Sequence, residues 1–493
     1  MLHGKEYVDF DARFRFKFRS AAGGARLLFR MQDSSRYYAL DVPFGGQQSR
    51  VRHFWAGLII ADGTPLQRYL NFGLVPGLGA IIDHWYEARV EARGSRLRAW
   101  IDGRPVADVV DTTYSRGRVG LAGIVNPYTR NVHFSDFSLA GKAGEPLSAF
   151  EKMQPRRPYW ITPCALTDPN TFQSYPSLLH QSDGKLVASV SFGNPNAGEV
   201  RSRVFVRSSD YGRTWSPPER ATLQHGLGAN FVRRDGTWVC LFQKETATKP
   251  EGSLYSYESS DEGKTWVGPT TLKTEGAWPP EYTNGYPIRP VRLHDGTLLL
   301  PTIVKIENAT FFQPTVYNAF ALRSTDDGRT WSAPVRCDAD NLRREAGSKW
   351  MSASFFYELG IAEVADNVIL GIGRPGMDPY MWQIQSNDGG KTWMPGVIGP
   401  FPGYCPSLTR LKGGALVATT RFPYFTAHLS RDQGRTWDPP VILDYATWAN
   451  QQAVEVEPNV VLVDYMGDIM KRGQADNRML RLRVTDAGLK IDN

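Results

Sequence analysis

A turn is repeated along the second half of the chain, and the residues best suited to chemistry lie at equivalent sequence positions relative to its copies. Counting back from the turns gives equivalent positions that are occupied by Tyr175, Glu358, Cys405 and Asn450. Their neighbours in the same register are Ser174, Tyr286, Tyr357, Tyr404 and Trp448. A carboxylate such as Glu358 can act as a general base or as a nucleophile. We therefore expect these positions to line one pocket.

The repeated turn has the pattern Ser-x-Asp-x-Gly-x-Thr-Trp and occurs at residues 208–215, 259–266, 324–331, 386–393 and 430–437. Its Asp carboxylate can accept hydrogen bonds from backbone N–H groups of its own turn. Its Gly supplies a backbone conformation that other residues avoid, and its Trp can pack between sheets. We therefore interpret these aspartates as scaffold and not as catalytic residues. Residues 483–488 resemble a decayed sixth copy.

An inner strand, a short turn and a second strand precede each copy of the repeated turn. The repeat has a period of about 45 to 65 residues, which is typical of β-propellers. Six such inner strands predict a six-bladed β-propeller over residues 159–493, with Trp160-Ile161-Thr162 completing the last blade. In such a ring the starts of the inner strands meet at the axis, where we expect the pocket.

The first part of the chain, residues 1–142, reads as continuous antiparallel strands. The clearest hairpin joins residues 85–93 to 96–101 through Gly94-Ser95, which fits a two-residue loop. Gly- and Pro-rich stretches at 140–146 and 155–158 break the pattern and indicate a linker over 143–158. The predicted fold class is all-β, with an N-terminal β-sandwich followed by the propeller. The sandwich is either a carbohydrate-binding module or a structural spacer.

Composition narrows the choice of partners. The net charge is +7 and the chain has no dense Lys/Arg run, so we expect no nucleic acid as a partner. The sequence contains no stretch of about 18 consecutive apolar residues, so it predicts no membrane span. The four cysteines are far apart and show no metal-ligand spacing, so we expect free thiols and no metal. The opening residues 1–7 lack the apolar core of a signal peptide, and a secreted or periplasmic location follows only if a leader was removed.

The five turns resemble the Asp box, or BNR repeat, of the sialidase (neuraminidase) superfamily, and the N-terminal strand order resembles a concanavalin-like (LamG-type) jelly roll. Sialidases carry in the fourth blade a Glu, an acidic residue five positions later and an Arg eleven beyond that. Glu358, Glu363 and Arg374 have both spacings. The resemblance implies that Glu358 activates the nucleophile and that Arg374 is one of three arginines that bind the substrate carboxylate. Arg421 lies close to the position of another.

The rest of the sialidase pattern is altered. Ser174 stands where an Arg is expected, and Asn450 stands where the nucleophilic Tyr is expected. Tyr404 or Tyr286 can replace that Tyr from another blade, and Glu199 is the acidic residue in the loop that carries the acid/base Asp. The predicted catalytic residues are Glu358, Tyr404, Glu199 and His225, and the predicted substrate-binding residues are Arg374, Arg421, Arg289, Tyr175, Tyr286, Trp448 and Asn450.

These residues lead to three hypotheses for function. The first is an exo-acting glycoside hydrolase of the sialidase superfamily that cleaves a terminal acidic sugar from an anionic oligosaccharide or polysaccharide, without a cofactor. The second is a polysaccharide lyase, or a non-sialidase glycosidase in which Glu358 acts directly on a less acidic sugar. The third is a glycan-binding protein without activity, since several expected catalytic residues are replaced.

Overall fold

A computed structural model describes residues 2–19, 23–44, 53–124, 132–144, 159–162, 172–181, 184–193, 202–220, 230–243, 254–276, 285–287, 289–306, 316–337, 357–374, 380–445, 451–467 and 477–492. The regular elements in these ranges are β-strands, and the ranges contain no α-helix. Accordingly, the described residues include no helix with the length and hydropathy needed to cross a membrane.

The chain forms two compact units. The first comprises Met1–Tyr159, Phe422–His428 and Asp438–Thr447. The second comprises Trp160–Arg421, Leu429–Trp437 and Trp448–Asn493. Two short segments of the repeat region thus belong to the N-terminal unit, although they lie far from it along the chain.

The first unit is a large sandwich-like antiparallel sheet. Its N-terminal strands follow the order β5-β4-β3-β2-β9-β1-β6-β7-β8, and β10 also pairs with β1. The strands are β1 Leu2–Phe18, β2 Gly23–Met31, β3 Arg36–Phe44, β4 His53–Asp62, β5 Gln67–Gly79, β6 Tyr86–Arg93, β7 Arg96–Ile101, β8 Arg104–Val110, β9 Gly117–Ile124 and β10 Val132–Gly144. The predicted hairpin is present as β6 and β7, which pair from Arg93↔Arg96 onward.

Alternation of apolar and polar residues explains how this sheet forms its core. In β1 every second residue from Phe10 to Phe18 is buried, whereas Arg13 and Arg15 between them are exposed. The β6 residues Tyr86 and Val90 face the same core. One side of the sheet is therefore apolar and the other is solvated. The finer assignment to the concanavalin-like family stays a prediction.

The second unit is a β-propeller. Its first blade contains β11 Phe172–His180, β12 Leu186–Gly193, β13 Ser202–Ser208 and β14 Glu219–Arg220, and its second contains β15 Phe231–Val232, β16 Trp238–Gln243, β17 Leu254–Ser259 and β18 Val267–Thr271. The third contains β20 Gly285–Pro287, β21 Val291–Arg292, β22 Leu298–Ile306, β23 Val316–Ser324 and β25 Val335–Arg336. A parallel pair, β19 Lys273–Glu275 and β24 Thr330–Ser332, lies outside these sheets.

The remaining blades follow the same antiparallel pattern. The fourth contains β26 Tyr357–Ala365, β27 Val368–Arg374, β28 Trp382–Ser386 and β29 Val397–Ile398, and the last contains β34 Gln452–Glu457, β35 Val460–Met466, β36 Asn477–Thr485 and β37 Gly488–Ile491. Between them, β30 Ser407–Arg410 pairs with β31 Leu416–Thr420. As expected, Ile161 adds to the last blade, where it forms an antiparallel bridge with Met479.

The prediction of six blades was wrong in its count, because five blades form sheets of their own in the described residues. The sequence assigned β32 Phe425–Ser430 and β33 Val441–Asp444 to a further blade of this kind. The β33 strand instead pairs with β5 through Val441↔Arg68 and Ile442↔Gln67. These strands therefore extend the large sheet of the first unit, which removes an open sheet edge.

A buried polar cluster accompanies this extension inside the first unit. Arg26 Nε donates to Asp41 Oδ1 over 2.5 Å, and both side chains are almost fully buried. The hydroxyls of Tyr69 and Tyr424 donate to the same carboxylate over 2.5 and 3.2 Å. Arg26 also donates to the hydroxyl of Tyr445 over 2.8 Å. A buried ion pair needs such additional hydrogen bonds to offset its desolvation.

The five repeated turns share one hydrogen-bond pattern. In each turn the Ser hydroxyl donates to the Asp carboxylate over 2.8–2.9 Å, and the Thr hydroxyl donates to it over 2.6–2.7 Å. The Thr backbone N–H donates to the same carboxylate over 2.8–2.9 Å. The Gly N–H donates to the Ser hydroxyl over 2.8–2.9 Å. Each Asp carboxylate thus accepts several hydrogen bonds from groups of its own turn.

Backbone conformation explains why Gly recurs in these turns. The Gly residues have φ from 81° to 85°, a region that disfavours other residues. The residue before each Gly also has positive φ, as Tyr211 (62°) and Asp327 (64°) show. The hydrogen bonds of the Asp side chain therefore hold two successive left-handed residues in place.

Removing one of these carboxylates tests its contribution to stability. In Asp326→Ala the donors of Ser324, Arg329 and Thr330 lose their acceptor. We expect the free energy of unfolding to fall by about 1–3 kcal/mol, because partly buried donors are left without partners. Urea denaturation measures the change. The matched control is Asp486→Ala in the decayed turn, whose carboxylate makes no contact among the described residues, and equal losses in the two variants would contradict the interpretation.

Acid should weaken the turns in a defined pH range. Burial raises the pKa of Asp210, but hydrogen bonds from Thr214 and Ser208 outweigh it and lower the pKa to about 2. Because the folded pKa lies below the unfolded value of about 3.9, the stabilisation is complete above pH 4 and is lost as the pH falls towards 2. We expect the urea midpoint of the wild type to exceed that of Asp210→Asn at pH 6, and the difference to shrink over this range. A constant difference would refute the assignment.

Candidate functional site

Glu358 lies at an irregular point of the innermost strand of the fourth blade. The pairing of β26 with β27 shifts between Tyr357 and Leu359, so Glu358 stands in a bulge. Its φ is +55°, a conformation that is uncommon for a residue with a side chain. Bulges and left-handed residues often re-aim a side chain at a functional site. The carboxylate is thereby turned out of the regular strand pattern.

Arg374, at the end of β27, forms an ion pair with this carboxylate. Its Nη1 donates to Glu358 Oε2 over 2.8 Å. The Arg374 side chain is 3% exposed, whereas that of Glu358 is 26% exposed. A buried guanidinium needs an anionic partner, and Glu358 supplies it while still reaching solvent. Two of the three residues that match the sialidase spacing, Glu358 and Arg374, are therefore in direct contact.

A backbone N–H completes the coordination of the same carboxylate oxygen. The N–H of Cys405 donates to Glu358 Oε2 over 3.1 Å. Cys405 has φ +48° and occupies the same repeat position as Glu358. Arg374 and the Cys405 N–H thus both bond Oε2. The thiol of Cys405 is a further hydrogen-bond partner of the Glu358 side chain.

Tyr404 and Arg421 lie beside this pair. The guanidinium of Arg374 is placed 4.8 Å from the centroid of the Tyr404 ring. The backbone N–H of Arg421 donates to the Tyr404 carbonyl over 3.2 Å. The charges of Arg421 and Arg374 both act on the thiol of Cys405. The structure thus brings together Glu358, Arg374, Tyr404 and Arg421, which we call the crown cluster.

The Cys405 thiol is not a nucleophile in this cluster. Burial raises its pKa, and the negative charge of Glu358 raises it further, while Arg421 and Arg374 lower it to a smaller extent. Nucleophilic cysteines need the opposite environment, since the thiolate is the reactive form. Cys405 therefore contributes its backbone N–H and a protonated thiol, which both hydrogen-bond Glu358.

Gln451 is a supporting residue that the sequence reasoning missed. It is buried, and its Nε2 donates to the carbonyls of Cys405 and Thr419, the latter over 2.8 Å. It thereby fixes the segment that offers its N–H to Glu358. Its position next to the expected nucleophile, Asn450, was the one available signal. Nothing in a single sequence identifies such a contact with a carbonyl group.

Other predicted site residues are distributed differently. Glu199, His225, Trp448 and Asn450 lie outside the described residues. Tyr175 lies in β11 and Tyr286 in β20. The pairing of β11 with β12 is irregular between Ser174 and Ser177, which span Tyr175. These predicted roles stay predictions.

Arg289 lines a separate space within the propeller. A cavity of about 950 Å³, here called the central cavity, is bordered by residues of the inner strands, including His180, Arg289, Gly360, Ser407 and Gln452. Its lining does not include Glu358, Arg374 or Tyr404. Arg289 therefore is not part of the contacts that define the crown cluster.

The described side chains hold no candidate metal centre. No group of three or more His, Cys, Asp or Glu residues among them is arranged to bind an ion. Cys240, Cys337 and Cys405 are free thiols, and Cys164 lies outside the described ranges.

Comparisons with known proteins identify the repeat. Residues 241–447 match the family model of the BNR repeat-like domain. A protein of unknown function from Dyadobacter fermentans is 20% identical, has a TM-score of 0.51, and aligns over 68% of this chain and 99% of that chain. A variant of NanB sialidase from Streptococcus pneumoniae is 11% identical, with a TM-score of 0.48 and 98% of each chain covered.

An α-L-arabinofuranosidase from Fusarium graminearum is 17% identical, with a TM-score of 0.47 and coverage of 66% of this chain and 97% of that chain. Among curated proteins, none matches this sequence significantly. At these identities the likeness of the structures concerns the fold alone. The family match confirms the predicted BNR repeat.

Thiol reactivity tests the geometry of the crown cluster without a substrate. Glu358→Gln removes a negative charge that raises the pKa of Cys405. We expect Cys405 to react several-fold faster with a disulfide reagent at pH 8, because more thiolate is present. Cys405→Ser identifies the signal that belongs to this residue. Glu363→Gln, five positions along β26, is the matched control, and an equal acceleration there would contradict the geometry.

Proposed function

Because the chain carries a BNR repeat-like domain on a propeller of the sialidase type, we propose that it is a glycoside hydrolase that removes a terminal acidic sugar from an oligosaccharide or polysaccharide. The observation that carries this proposal is the contact of Glu358 with the buried Arg374, beside Tyr404. A carboxylate, a phenol and guanidinium groups at one place are the groups that such a reaction needs.

The arginines support an acidic substrate. Arg374 and Arg421 both lie near Cys405, so two positive charges are concentrated on one side of the crown cluster. The carboxylate of Glu358 is one partner of Arg374. The planar guanidinium suits a sugar carboxylate, which it can bind through two parallel hydrogen bonds. A neutral sugar offers no such partner.

We assign the role of the base to Glu358 and the role of the nucleophile to Tyr404. Arg374 and the Cys405 N–H both bond Oε2 of Glu358, and in this proposal Oε1 accepts a proton. In this proposal the proton comes from the hydroxyl of Tyr404, whose oxygen then attacks the anomeric carbon. A phenol oxygen suits this step because a carboxylate nucleophile would be repelled by the acidic substrate. As the bond from Tyr404 to the anomeric carbon forms, the glycosidic bond breaks and the leaving-group oxygen takes a proton from solvent. Water then attacks the anomeric carbon and the bond to Tyr404 breaks. The phenol oxygen takes its proton back from Glu358, and the proton of the attacking water goes to solvent.

The other two hypotheses rest on parts of the same geometry. A lyase would use Arg374 to neutralise a uronate carboxylate and Tyr404 as the base that removes the adjacent proton. A glycan-binding protein would use the same arginines and aromatic residues without turnover. The hydrolase is favoured because Glu358 and Tyr404 both lie beside Arg374, which puts a carboxylate base and a phenol nucleophile at one place.

Three substrates separate the hypotheses. We would incubate the protein with an α-sialoside, a uronate-containing polysaccharide and a neutral aryl glycoside. Release of free acidic sugar without an unsaturated product supports the hydrolase. A product with conjugated ultraviolet absorbance would establish the lyase, and binding without turnover of any substrate would refute both enzymes.

Variants then assign the roles of the crown cluster. We expect Glu358→Gln and Tyr404→Phe each to lower kcat at least about a hundredfold, since each removes a proton-transfer group. Tyr404→Phe keeps the ring next to Arg374. Arg374→Lys keeps the charge but loses the planar fork, so KM should rise about tenfold.

The matched control is Glu219→Gln on the exposed outer strand β14, which removes one carboxylate away from the crown cluster. It should retain wild-type kcat and KM. Full activity of Tyr404→Phe would exclude Tyr404 as the nucleophile, and full activity of Glu358→Gln would refute the proposed site.

A further inference from the structure

The central cavity carries positive charge that its lining does not neutralise. His180, at the end of β11, and Arg289, just before β21, border it and are partly buried. Arg410 and Lys412, at and just after the end of β30, border it as exposed side chains. These three cations and the imidazole of His180 come from three inner strands that are not neighbours in the chain. They therefore converge from different blades on one space.

Arg289 is the least compensated of these groups. Burial alone lowers the pKa of its guanidinium to about 10, and no carboxylate acts against that effect. Among the described residues it forms no ion pair and no hydrogen bond through its side chain. Two other arginines of the same lining are neutralised: Arg233 pairs with Glu258 over 2.7 Å, and Arg292 pairs with Asp327 over 2.6 Å.

His180 shows that the cations are close together. Burial lowers its pKa, and the charges of Arg289 and Lys412 lower it further. Glu455 acts in the opposite direction, but it is the smallest of these effects. Electrostatic repulsion of this kind requires proximity. The three side chains therefore face a common region of the cavity.

The carboxylates of the lining are occupied elsewhere. Glu363 accepts the backbone N–H groups of His294 and Asn367 over 2.6 and 3.0 Å. Glu455 accepts those of Lys412 and Asn459 over 2.7 and 3.1 Å. Both oxygens of these two carboxylates thus accept hydrogen bonds from backbone N–H groups. The third, Glu262, is exposed and lies 3.5 Å from Arg207.

We propose that the central cavity binds a small inorganic oxyanion of the phosphate or sulfate class, held by Arg289 and His180 and attracted by Arg410 and Lys412. The planar fork of an arginine matches two oxygens of such an anion. Exposed cations outside partly buried ones form an electrostatic funnel that raises the local concentration of anions. The anion offsets the desolvation of Arg289 and bridges three blades. This role replaces the substrate contact that the sequence suggested for Arg289.

The test uses the full-length protein with inorganic phosphate and sulfate. Calorimetric titration should show saturable binding at one site, and the melting temperature should rise with phosphate concentration. Arg289→Gln should weaken binding at least about tenfold, because a charge-assisted hydrogen bond is lost. Arg289→Lys, which keeps the charge without the fork, should weaken it less. Arg220→Gln on the exposed strand β14 is the matched control and should bind as the wild type does.

Thermal melting without added anion gives an independent measurement. Arg289→Gln removes an uncompensated, partly buried charge, so it should melt at a higher temperature than the wild type, and phosphate should remove this difference. Glu358→Gln should bind phosphate normally, so the outcome does not depend on the proposed hydrolase. Equal binding by Arg289→Gln and wild type, or binding of glucuronate through Arg289 in place of phosphate, would overturn the proposal.

Discussion

The propeller depends on the hydrogen bonds that one aspartate makes in each repeated turn. The carboxylate of Asp326, for example, accepts from a serine hydroxyl, a threonine hydroxyl and two backbone N–H groups. These bonds hold two successive left-handed residues, Asp327 and Gly328, which would otherwise be unfavourable. A turn of this kind fixes where the next strand starts. The same local chemistry, repeated five times, therefore sets the spacing of the inner strands.

The crown cluster uses a second type of local distortion. Glu358 and Cys405 occupy the same repeat position in successive inner strands, and both have positive φ. This conformation turns the carboxylate of one residue towards the N–H of the other, where they bond over 3.1 Å. Gln451, from the next inner strand, holds the carbonyl of Cys405. Residues from three inner strands thus contribute to one small site, and its strained backbone is secured by hydrogen bonds from its neighbours.

The sequence predicted those parts of the molecule that repeat or that follow local rules. Counting from the turns predicted the position of Glu358, and the sialidase spacing added Arg374. The two side chains bond over 2.8 Å, while their functional roles stay predictions. The pairing of Val441 with Arg68 was beyond this reasoning, because it joins residues far apart in the chain and breaks the repeat. The blade count failed for the same reason. Gln451 was missed because it acts on carbonyl groups, which every residue has.

Two arginines of the propeller differ in whether a nearby carboxylate neutralises them. This difference distinguishes an arginine that is part of an ion pair from one that can bind an anion. Arg374 is almost fully buried, but Glu358 lies 2.8 Å away and neutralises it. Arg289 is partly buried, and burial is the one effect on its pKa. A desolvated cation without a partner costs folding free energy, whereas a paired one costs less. Such a cation is retained at a cost that a bound anion can offset. The two sites should therefore differ in ligand: the crown cluster accepts an acidic group next to an existing ion pair, whereas the central cavity needs an anion to complete its charge balance.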